Sequence, residues 1–258
     1  MKISELFDVT GKVVVITGGS RGIGEIMARA FADNGARVYI TARKADECRA
    51  TAEDIAKSGF CVAIPGDLST LDGIKSFVSE IQARESKVDV LINNAGAAWG
   101  ATFAEFPESG WDKVMDINLK SPFFLTQQML PLLEAAATDD MWARVIHVSS
   151  VDGMRIPPYE TYSYISSKAA LNHLTRMMAK HLAKRKILVN TIAPGLFPSK
   201  MSVAVTRDHS DFFYTSTPVA RPGEPADMAG VVLFLASKAS AYLCGAIIPV
   251  DGGNGATV

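Results

Sequence analysis

The strongest constraint on the fold is a regular alternation of short strand patterns with longer helical patterns along the chain. Runs rich in Val, Ile and Leu are predicted to be strands, at 12–17, 37–41, 61–64, 88–92, 144–148, 187–191 and 247–250. Helical patterns lie between most of them, at 23–33, 45–57, 71–84, 110–115, 118–137, 162–183 and 225–235. Strands joined by helical crossovers form a parallel sheet that needs helices on both faces. The sequence therefore predicts one doubly wound α/β domain over residues 1–258.

Composition and cysteine usage narrow the possible partners and the compartment. The chain has 26 basic and 27 acidic residues, a balance that gives no support for a nucleic-acid or membrane partner. The first ten residues carry Glu5 and Asp8 and lack the apolar run of a signal peptide. Cys48, Cys61 and Cys244 are odd in number and widely spaced, which is typical of reduced thiols. The four histidines show no metal-ligand spacing, so we expect a cytoplasmic protein without a metal site.

A glycine-rich turn follows the first predicted strand. Residues 17–24 read Thr-Gly-Gly-Ser-Arg-Gly-Ile-Gly and end in a predicted helix. Glycine lets the backbone approach a phosphate closely, and a helix N-terminus offers free N–H groups and positive dipole charge. Gly18 and Gly22 are separated more widely than in the common dinucleotide fingerprint. The turn predicts a pyrophosphate-binding site, and the alternative is a glycine-rich turn without a ligand.

The end of the second strand indicates which dinucleotide is bound. An acidic residue at this place would bind a ribose 2′-hydroxyl and repel a 2′-phosphate. The chain instead has Ala42 and Arg43 there, and Arg21 lies in the glycine turn. Two guanidinium groups favour NADP(H) over NAD, unless both arginines are simply solvated. The missing acid also argues against a methyltransferase that binds S-adenosylmethionine.

Polar residues able to move a proton are predicted at the same sheet edge. Tyr164 and Lys168 are four residues apart on a predicted helix and so share a face. Ser149 and Ser150 end the fifth strand, and Asn118 follows the fourth. An ammonium group favours the phenolate of a nearby tyrosine, which can exchange a proton with a carbonyl oxygen that a serine polarises. The alternative is a surface Tyr–Lys pair beside a solvated serine.

In combination and in order, these motifs resemble the short-chain dehydrogenase/reductase family, and the resemblance spans essentially the whole chain. The matching segments are Thr17 to Gly24, Asn93-Asn94-Ala95-Gly96, Asn118, Ser150, Tyr164-x-x-x-Lys168, Pro194-Gly195 and Asp251-Gly252-Gly253. The resemblance implies a Rossmann sheet of seven strands, a homotetramer or homodimer, and catalysis by an Asn-Ser-Tyr-Lys set. Within the family, the chain looks most like the rhamnolipid-associated 3-oxoacyl-[acyl-carrier-protein] reductases.

The resemblance also implies a role for each matching residue. Tyr164 becomes the general acid/base, Lys168 lowers its pKa and holds the nicotinamide ribose, Ser150 orients the carbonyl, and Asn118 anchors a relay water. The implied cofactor-binding residues, besides Tyr164 and Lys168, are Gly18, Ser20, Arg21, Gly22, Ile23, Gly24, Arg43, Asp67, Leu68, Asn94, Ala95, Gly96, Pro194, Gly195, Phe197 and Ser199.

The serine assignment stays open at this point. The interval from Ser150 to Tyr164 is one residue longer than the family's commonest spacing, so Ser149 is an alternative for the serine that holds the carbonyl oxygen. Ser150 is preferred because the Val-Asp-Gly that follows matches the family's usual apolar-small-Gly turn.

The substrate is expected to be a small carbonyl or alcohol compound. Residues 195–222 predict a lid, with an ordinary surface insertion as the alternative. An apolar pocket is predicted from large side chains that could equally pack in the core or the lid, namely Trp99, Met154, Phe212, Phe213 and Tyr214.

The sequence thus predicts an NADPH-dependent carbonyl reductase, reversible as a secondary-alcohol dehydrogenase, that acts on 3-oxoacyl or hydrophobic ketone substrates. Two alternatives are weighed against it. One is a nucleotide-binding regulatory or scaffold protein without turnover. The other, a sugar-nucleotide epimerase, would need a larger C-terminal region than this chain has after Gly195.

Overall fold

The computed structural model describes residues 2–198 and 217–255, and its strands form one parallel sheet of seven strands. The strand order is β3-β2-β1-β4-β5-β6-β7. The strands are β1 Val13–Thr17, β2 Arg37–Thr41, β3 Phe60–Ala63, β4 Val90–Asn93, β5 Ala143–Val148, β6 Ile187–Pro194 and β7 Ile247–Val250. The predicted doubly wound α/β sheet is confirmed.

Helices connect successive strands. The α-helices of the described residues are α1 Ile3–Leu6, α2 Gly22–Asp33, α3 Ala45–Ile55, α4 Leu71–Gln82, α5 Glu108–Met115, α6 Ser121–Ala136, α7 Tyr162–Leu182 and α8 Pro225–Ala236. Short 3₁₀ helices lie at Phe103–Glu105, Val151–Gly153, Ala183–Arg185 and Lys238–Ser240, and a π turn lies at Asp116–Lys120. None of the helices in residues 2–198 and 217–255 is long and apolar enough to cross a membrane.

Two elements differ from the sequence prediction. Strand β6 continues to Pro194, three residues past its predicted end at 191, because it pairs with β7 as far as the Pro194–Val250 position. The predicted break between two helices around 116–117 is instead the π turn, which links α5 directly to α6.

The alternation of side chains along the strands builds a hydrophobic layer on each face of the sheet. On one face, Val14 and Ile16 pack in a cluster with Phe31 of α2 and with side chains of α3 and α8. On the other face, Val13 and Val15 pack with side chains of α4, α6 and α7. Both layers are almost fully buried, so the central strands are covered on both faces, while the edge strands β3 and β7 are only partly buried.

The strand order reverses beside β1, because β2 lies on one side of β1 and β4 on the other. In open parallel sheets, such a reversal leaves a crevice outside the carboxyl ends of the strands, where ligands bind. Thr17, Asn93 and Val148 are the last residues of β1, β4 and β5, so the residues that follow each of them meet at this edge.

Candidate active site

A cavity of about 570 Å³ lies at the edge where these strands end, within the usual size range for small-molecule sites. The glycine turn lines one end of it, and α7 lines the other. Nearly all the predicted site residues lie in its wall, namely Gly18, Ser20, Arg21, Gly22, Ile23, Gly24, Arg43, Asp67, Leu68, Asn94, Ala95, Gly96, Ser150, Tyr164, Lys168, Pro194, Gly195 and Phe197. Ser199 lies outside the described residues.

The glycine turn has a backbone that only glycine adopts without strain. Gly18 and Gly22 have φ angles of 66° and 54°, in the left-handed region. A Cβ on Gly24 would lie 2.2 Å from the main-chain oxygen of Gly18. The turn thus packs too tightly for any side chain at residue 24, as a close approach to a phosphate requires.

Asn94, just past the end of β4, holds the glycine turn against the sheet. Its Nδ2 donates to the main-chain oxygen of Thr17 at 2.8 Å and to that of Gly18 at 3.2 Å. In return, Thr17 Oγ1 accepts from the main-chain N–H groups of Asn94 at 2.9 Å and Ala95 at 2.8 Å. The N-terminus of α2 is therefore fixed, with its first N–H groups at the cavity, and the turn fits a bound diphosphate.

The far end of the cavity, beyond β2, contains three basic side chains and two acids, one of which, Asp67, is close enough to Arg43 for the guanidinium to lower its pKa. Arg21, Arg43 and Lys44 all line this end. Glu47 lines it too, and its carboxylate lies 2.7 Å from Lys44 Nζ and 3.9 Å from Arg21 Nη1. Sequence reasoning missed Lys44, the residue just before α3, and Glu47, in the first turn of that helix. The three basic residues outnumber the two acids, which suits a phosphate group.

Tyr164, near the start of α7, lines the opposite end of the cavity. Burial raises the pKa of its phenol to about 12, while a hydrogen bond from Ser150 opposes part of the rise and nearby Asp152 adds to it. The direction is opposite to the lowering expected from the Tyr–Lys spacing, because the loss of solvent around the phenol is the largest influence on its pKa. Tyr164 is therefore a protonated donor at neutral pH.

Lys168 lies one helical turn after Tyr164. Its Nζ donates to the main-chain oxygen of Val148 at 2.8 Å and lies 5.7 Å from the centre of the Tyr164 ring. Burial lowers the pKa of the Lys168 ammonium to about 8. The cation is thus fixed between the end of β5 and the phenol.

The two candidate serines at the end of β5 have different partners. The Ser149 hydroxyl donates to the main-chain oxygen of Lys168 at 3.1 Å. The Ser150 hydroxyl accepts from the main-chain N–H of Asp152 at 3.1 Å, and Ser150 is close enough to Tyr164 to lower the pKa of its phenol. This geometry favours Ser150 as the serine next to the reacting oxygen.

Asn118 lies behind the cavity wall, in the π turn between α5 and α6. Its Oδ1 accepts from Ala97 N at 2.8 Å, and its Nδ2 donates to Ala97 O at 2.9 Å and to Ser167 Oγ at 3.0 Å. Gly96 packs between Asn118 and Lys168, since a Cβ there would lie 3.1 Å from Asn118 Oδ1 and 3.6 Å from Lys168 Nζ. Asn118 is thus close to Lys168, but its side chain is bonded to the protein. Turns of the π type are frequent at functional sites.

Two of the side chains predicted to line an apolar substrate pocket, Trp99 and Met154, are not among the residues that line the cavity. Trp99 packs against Gly110 under Lys113, and Met154 is exposed, so neither is in the cavity wall. The expectation that these two side chains line an apolar pocket is therefore wrong, and Phe212, Phe213 and Tyr214 lie outside the described residues. The polar residues that sequence reasoning missed in the wall include Lys113, Asp152, Arg155, Tyr159 and Asn254.

Comparison with known proteins identifies the family. A family model described as "Enoyl-(Acyl carrier protein) reductase" matches residues 18–254. The rhamnolipids biosynthesis 3-oxoacyl-[acyl-carrier-protein] reductase of Pseudomonas aeruginosa is 43% identical over 96% of this chain and 97% of its own length. The chain belongs to the short-chain dehydrogenase/reductase family. As a member it is an oxidoreductase of alcohol or carbonyl groups, as the sequence predicted.

Other members of the family agree with this assignment. A 3-oxoacyl-[acyl-carrier-protein] reductase of Aquifex aeolicus is 33% identical over 94% of this chain and 97% of its own length. The structure of a Pseudomonas aeruginosa RhlG/NADP active-site complex superposes with a TM-score of 0.94 at 42% identity, covering 97% of this chain and 99% of that one. The predicted resemblance to the rhamnolipid-associated reductases is thereby confirmed.

Proposed function

We propose that this short-chain dehydrogenase/reductase is an NADPH-dependent carbonyl reductase, reversible as a secondary-alcohol dehydrogenase, that acts on 3-oxoacyl or hydrophobic ketone substrates. The observation that carries the proposal is the single cavity, which joins the glycine turn and its basic end to Tyr164, Lys168 and Ser150. The glycine turn and the basic end suit a dinucleotide, and Tyr164, Lys168 and Ser150 suit a small carbonyl compound bound next to it.

NADP(H) is the cofactor that the cavity fits best. The glycine turn and the N-terminus of α2 suit the diphosphate. Arg21, Arg43 and Lys44 suit a 2′-phosphate, and these three basic groups outnumber the acids Glu47 and Asp67 beside them. The 42% identical RhlG structure, described as a complex with NADP, supports the same choice.

In the proposed reaction, NADPH when bound supplies a hydride to the carbonyl carbon. The side chains of the protein hydrogen-bond the carbonyl oxygen and give it a proton. Ser150 and Tyr164 hydrogen-bond the carbonyl oxygen, and Tyr164 gives up its phenolic proton as that oxygen gains charge. The raised pKa keeps the proton on Tyr164 at neutral pH, which favours reduction. The Lys168 ammonium stabilises the phenolate that remains, and Asn118 is proposed to anchor a water that returns the proton.

Three further expectations belong to the proposal. The enzyme is expected in the cytoplasm, as a homotetramer or homodimer. Residues 195–222 are expected to act as a substrate lid, although 199–216 of this segment lie outside the described residues.

A nucleotide-binding regulatory protein without turnover is the second candidate. The same cavity would bind the dinucleotide, so binding alone does not separate the two. The placement of Ser150 and Lys168 beside Tyr164 argues for chemistry, because a purely binding protein needs none of these groups in that arrangement.

The deciding experiment is a steady-state panel of substrates with both cofactors. It would include 3-oxoacyl thioesters, 3-oxo esters, simple ketones and sugar-derived keto acids, each with NADPH and with NADH. The proposal predicts turnover of 3-oxoacyl compounds or hydrophobic ketones, with a higher kcat/KM for NADPH. Tight NADPH binding without turnover of any substrate would favour the regulatory candidate, and a preference for NADH would contradict the cofactor assignment.

A further inference from the structure

Three side chains of the loop between β5 and α7 form a polar cluster in the cavity wall. The Asp152 carboxylate accepts hydrogen bonds from Arg155 Nε at 3.2 Å and from the Tyr159 hydroxyl at 2.5 Å. Arg155 Nη2 also lies 3.2 Å from Asp152 Oδ1. The side chains of Asp152 and Arg155 are only 7% and 14% exposed. The cluster is therefore an enclosed ion pair rather than a solvated surface contact.

The cluster lies at the end of the cavity where the carbonyl oxygen would be held. The main-chain N–H of Asp152 donates to Ser150 Oγ at 3.1 Å, and both Ser150 and Asp152 are close enough to Tyr164 to affect the pKa of its phenol. The next residue, Gly153, presses on α7, since a Cβ there would lie 2.7 Å from the carbonyl carbon of Lys168. The loop that carries the cluster is thus fixed to Ser150 on one side and to Lys168 on the other.

Arg155 keeps free hydrogen-bond donors that its partner does not use. A guanidinium group has five N–H donors, and the contacts to Asp152 involve only Nε and Nη2. Nη1 has no acceptor within the described residues, and Arg155 lines the cavity. The Arg155 guanidinium therefore presents N–H donors in the cavity wall near Ser150, and the Asp152 carboxylate balances its charge.

We propose that Arg155, positioned by Asp152, binds a second carbonyl oxygen of the substrate. A single methylene group separates this second carbonyl from the reacting one. This inference rests on the proposed function and assigns the substrate class to 3-oxoacyl thioesters or esters. In such compounds the two oxygens are separated by three carbon atoms, so a donor beside Ser150 can reach the second oxygen while Tyr164 and Ser150 hold the first.

The balanced charge of the pair favours a neutral acyl group over a free carboxylate. An unpaired arginine would attract a carboxylate strongly, but a carboxylate bound to Arg155 also comes close to the Asp152 carboxylate. A neutral thioester carbonyl needs only the N–H donors and meets no like charge. We therefore expect a 3-oxo ester to be a better substrate than the corresponding 3-oxo acid.

The test compares Arg155→Met with the wild type on two substrates. One is a 3-oxoacyl N-acetylcysteamine thioester, and the other is a methyl ketone of equal chain length without the second carbonyl. For the variant, kcat/KM of the thioester should fall about 10- to 100-fold, as expected for a lost hydrogen bond from a charged donor. The methyl ketone should lose several-fold less, because it never contacts Arg155 and is affected only by the unpaired Asp152 carboxylate near Tyr164.

Lys113→Met is the matched control, since it removes another positive charge from the same wall without touching Asp152. It should affect both substrates equally. NADPH affinity is measured for each variant to show that the site is folded, and Arg155→Gln is the second variant should the methionine variant not fold. Equal losses on both substrates, or no loss, would overturn the inference.

Two further results have distinct meanings. A wild-type preference for the free 3-oxo acid over its ester would also overturn the inference, because it would reveal an anion site. Failure of the wild type to turn over either substrate with NADPH would instead refute the proposed function itself.

Discussion

The Ser149 hydroxyl donates a 3.1 Å hydrogen bond to the main-chain oxygen of Lys168, whereas the neighbouring Ser150 is close enough to Tyr164 to lower the pKa of its phenol. The first serine therefore ties the end of β5 to α7, and the second lies beside the group proposed to move the proton. These contacts favour Ser150, a choice that the Ser–Tyr interval leaves open in the sequence.

This relationship predicts different effects for two serine variants. Ser150→Ala should lower kcat about 10²- to 10³-fold, because it removes a hydrogen bond to the carbonyl oxygen in the transition state. Ser149→Ala should lower the free energy of unfolding by about 1 kcal/mol and leave kcat nearly unchanged. Steady-state kinetics and urea unfolding of both variants check this, and a larger kcat loss for Ser149→Ala would reverse the assignment.

Arg43→Ala should weaken NADPH binding about 10- to 100-fold and NADH binding much less, since only NADPH has a 2′-phosphate for the guanidinium to bind. The dissociation constants of both cofactors, measured by titration, check the prediction. Arg49→Ala is the control, because Arg49 pairs with Asp46 on α3 and is not in the cavity wall. Equal losses for the two cofactors would show that Arg43 does not recognise the 2′-phosphate.

Gly24→Ala should abolish dinucleotide binding, because its Cβ would lie 2.2 Å from the main-chain oxygen of Gly18 and force the turn apart. The control is Gly230→Ala in α8, where nothing lies within 4 Å of the new Cβ. This control should bind NADPH normally and gain about 0.5–1 kcal/mol in the free energy of unfolding. Normal NADPH binding by Gly24→Ala would contradict the role of the turn.

His147 in β5 should make the protein sensitive to acid. Burial, with a smaller contribution from Lys168, lowers the pKa of this histidine from 6.5 to about 3. Between these pH values His147 is protonated in the unfolded chain but neutral in the folded protein. The free energy of unfolding therefore falls as the pH drops from 6.5 towards 3. From pH 6.5 to about 4.5 the loss attributable to His147 should be roughly 2–3 kcal/mol.

Urea unfolding at several pH values tests this sensitivity. His147→Asn should flatten the dependence below pH 6.5, whereas His173→Asn, at an exposed position of α7, should leave it unchanged. An unchanged slope for His147→Asn would show that another group causes the acid sensitivity.

Much of the fold and of the cofactor site follows from local patterns. The β-branched runs mark the strands because both faces of a parallel sheet are buried, and Gly18, Gly22 and Gly24 mark a turn whose backbone other residues cannot adopt. The extension of β6 to Pro194 was not predictable in this way, since it depends on pairing with β7, more than fifty residues later.

The parts of the site that sequence reasoning missed depend on tertiary contacts. Asp152, Arg155 and Tyr159 read as ordinary loop residues until the loop folds back and places them in one cluster. The pKa of Tyr164 was expected to fall because the Tyr–Lys spacing is visible in the sequence, while the burial that raises the pKa is not. Trp99 was predicted to line a pocket because its packing against Gly110 cannot be inferred from the sequence either.

The central claim is that Tyr164 gives the proton in an NADPH-dependent carbonyl reduction. The most direct measurement is the turnover of a 3-oxoacyl thioester by Tyr164→Phe, together with its affinity for NADPH. The account predicts that kcat falls about 10²- to 10⁴-fold while NADPH binds as tightly as it does to the wild type. Turnover close to that of the wild type would contradict it.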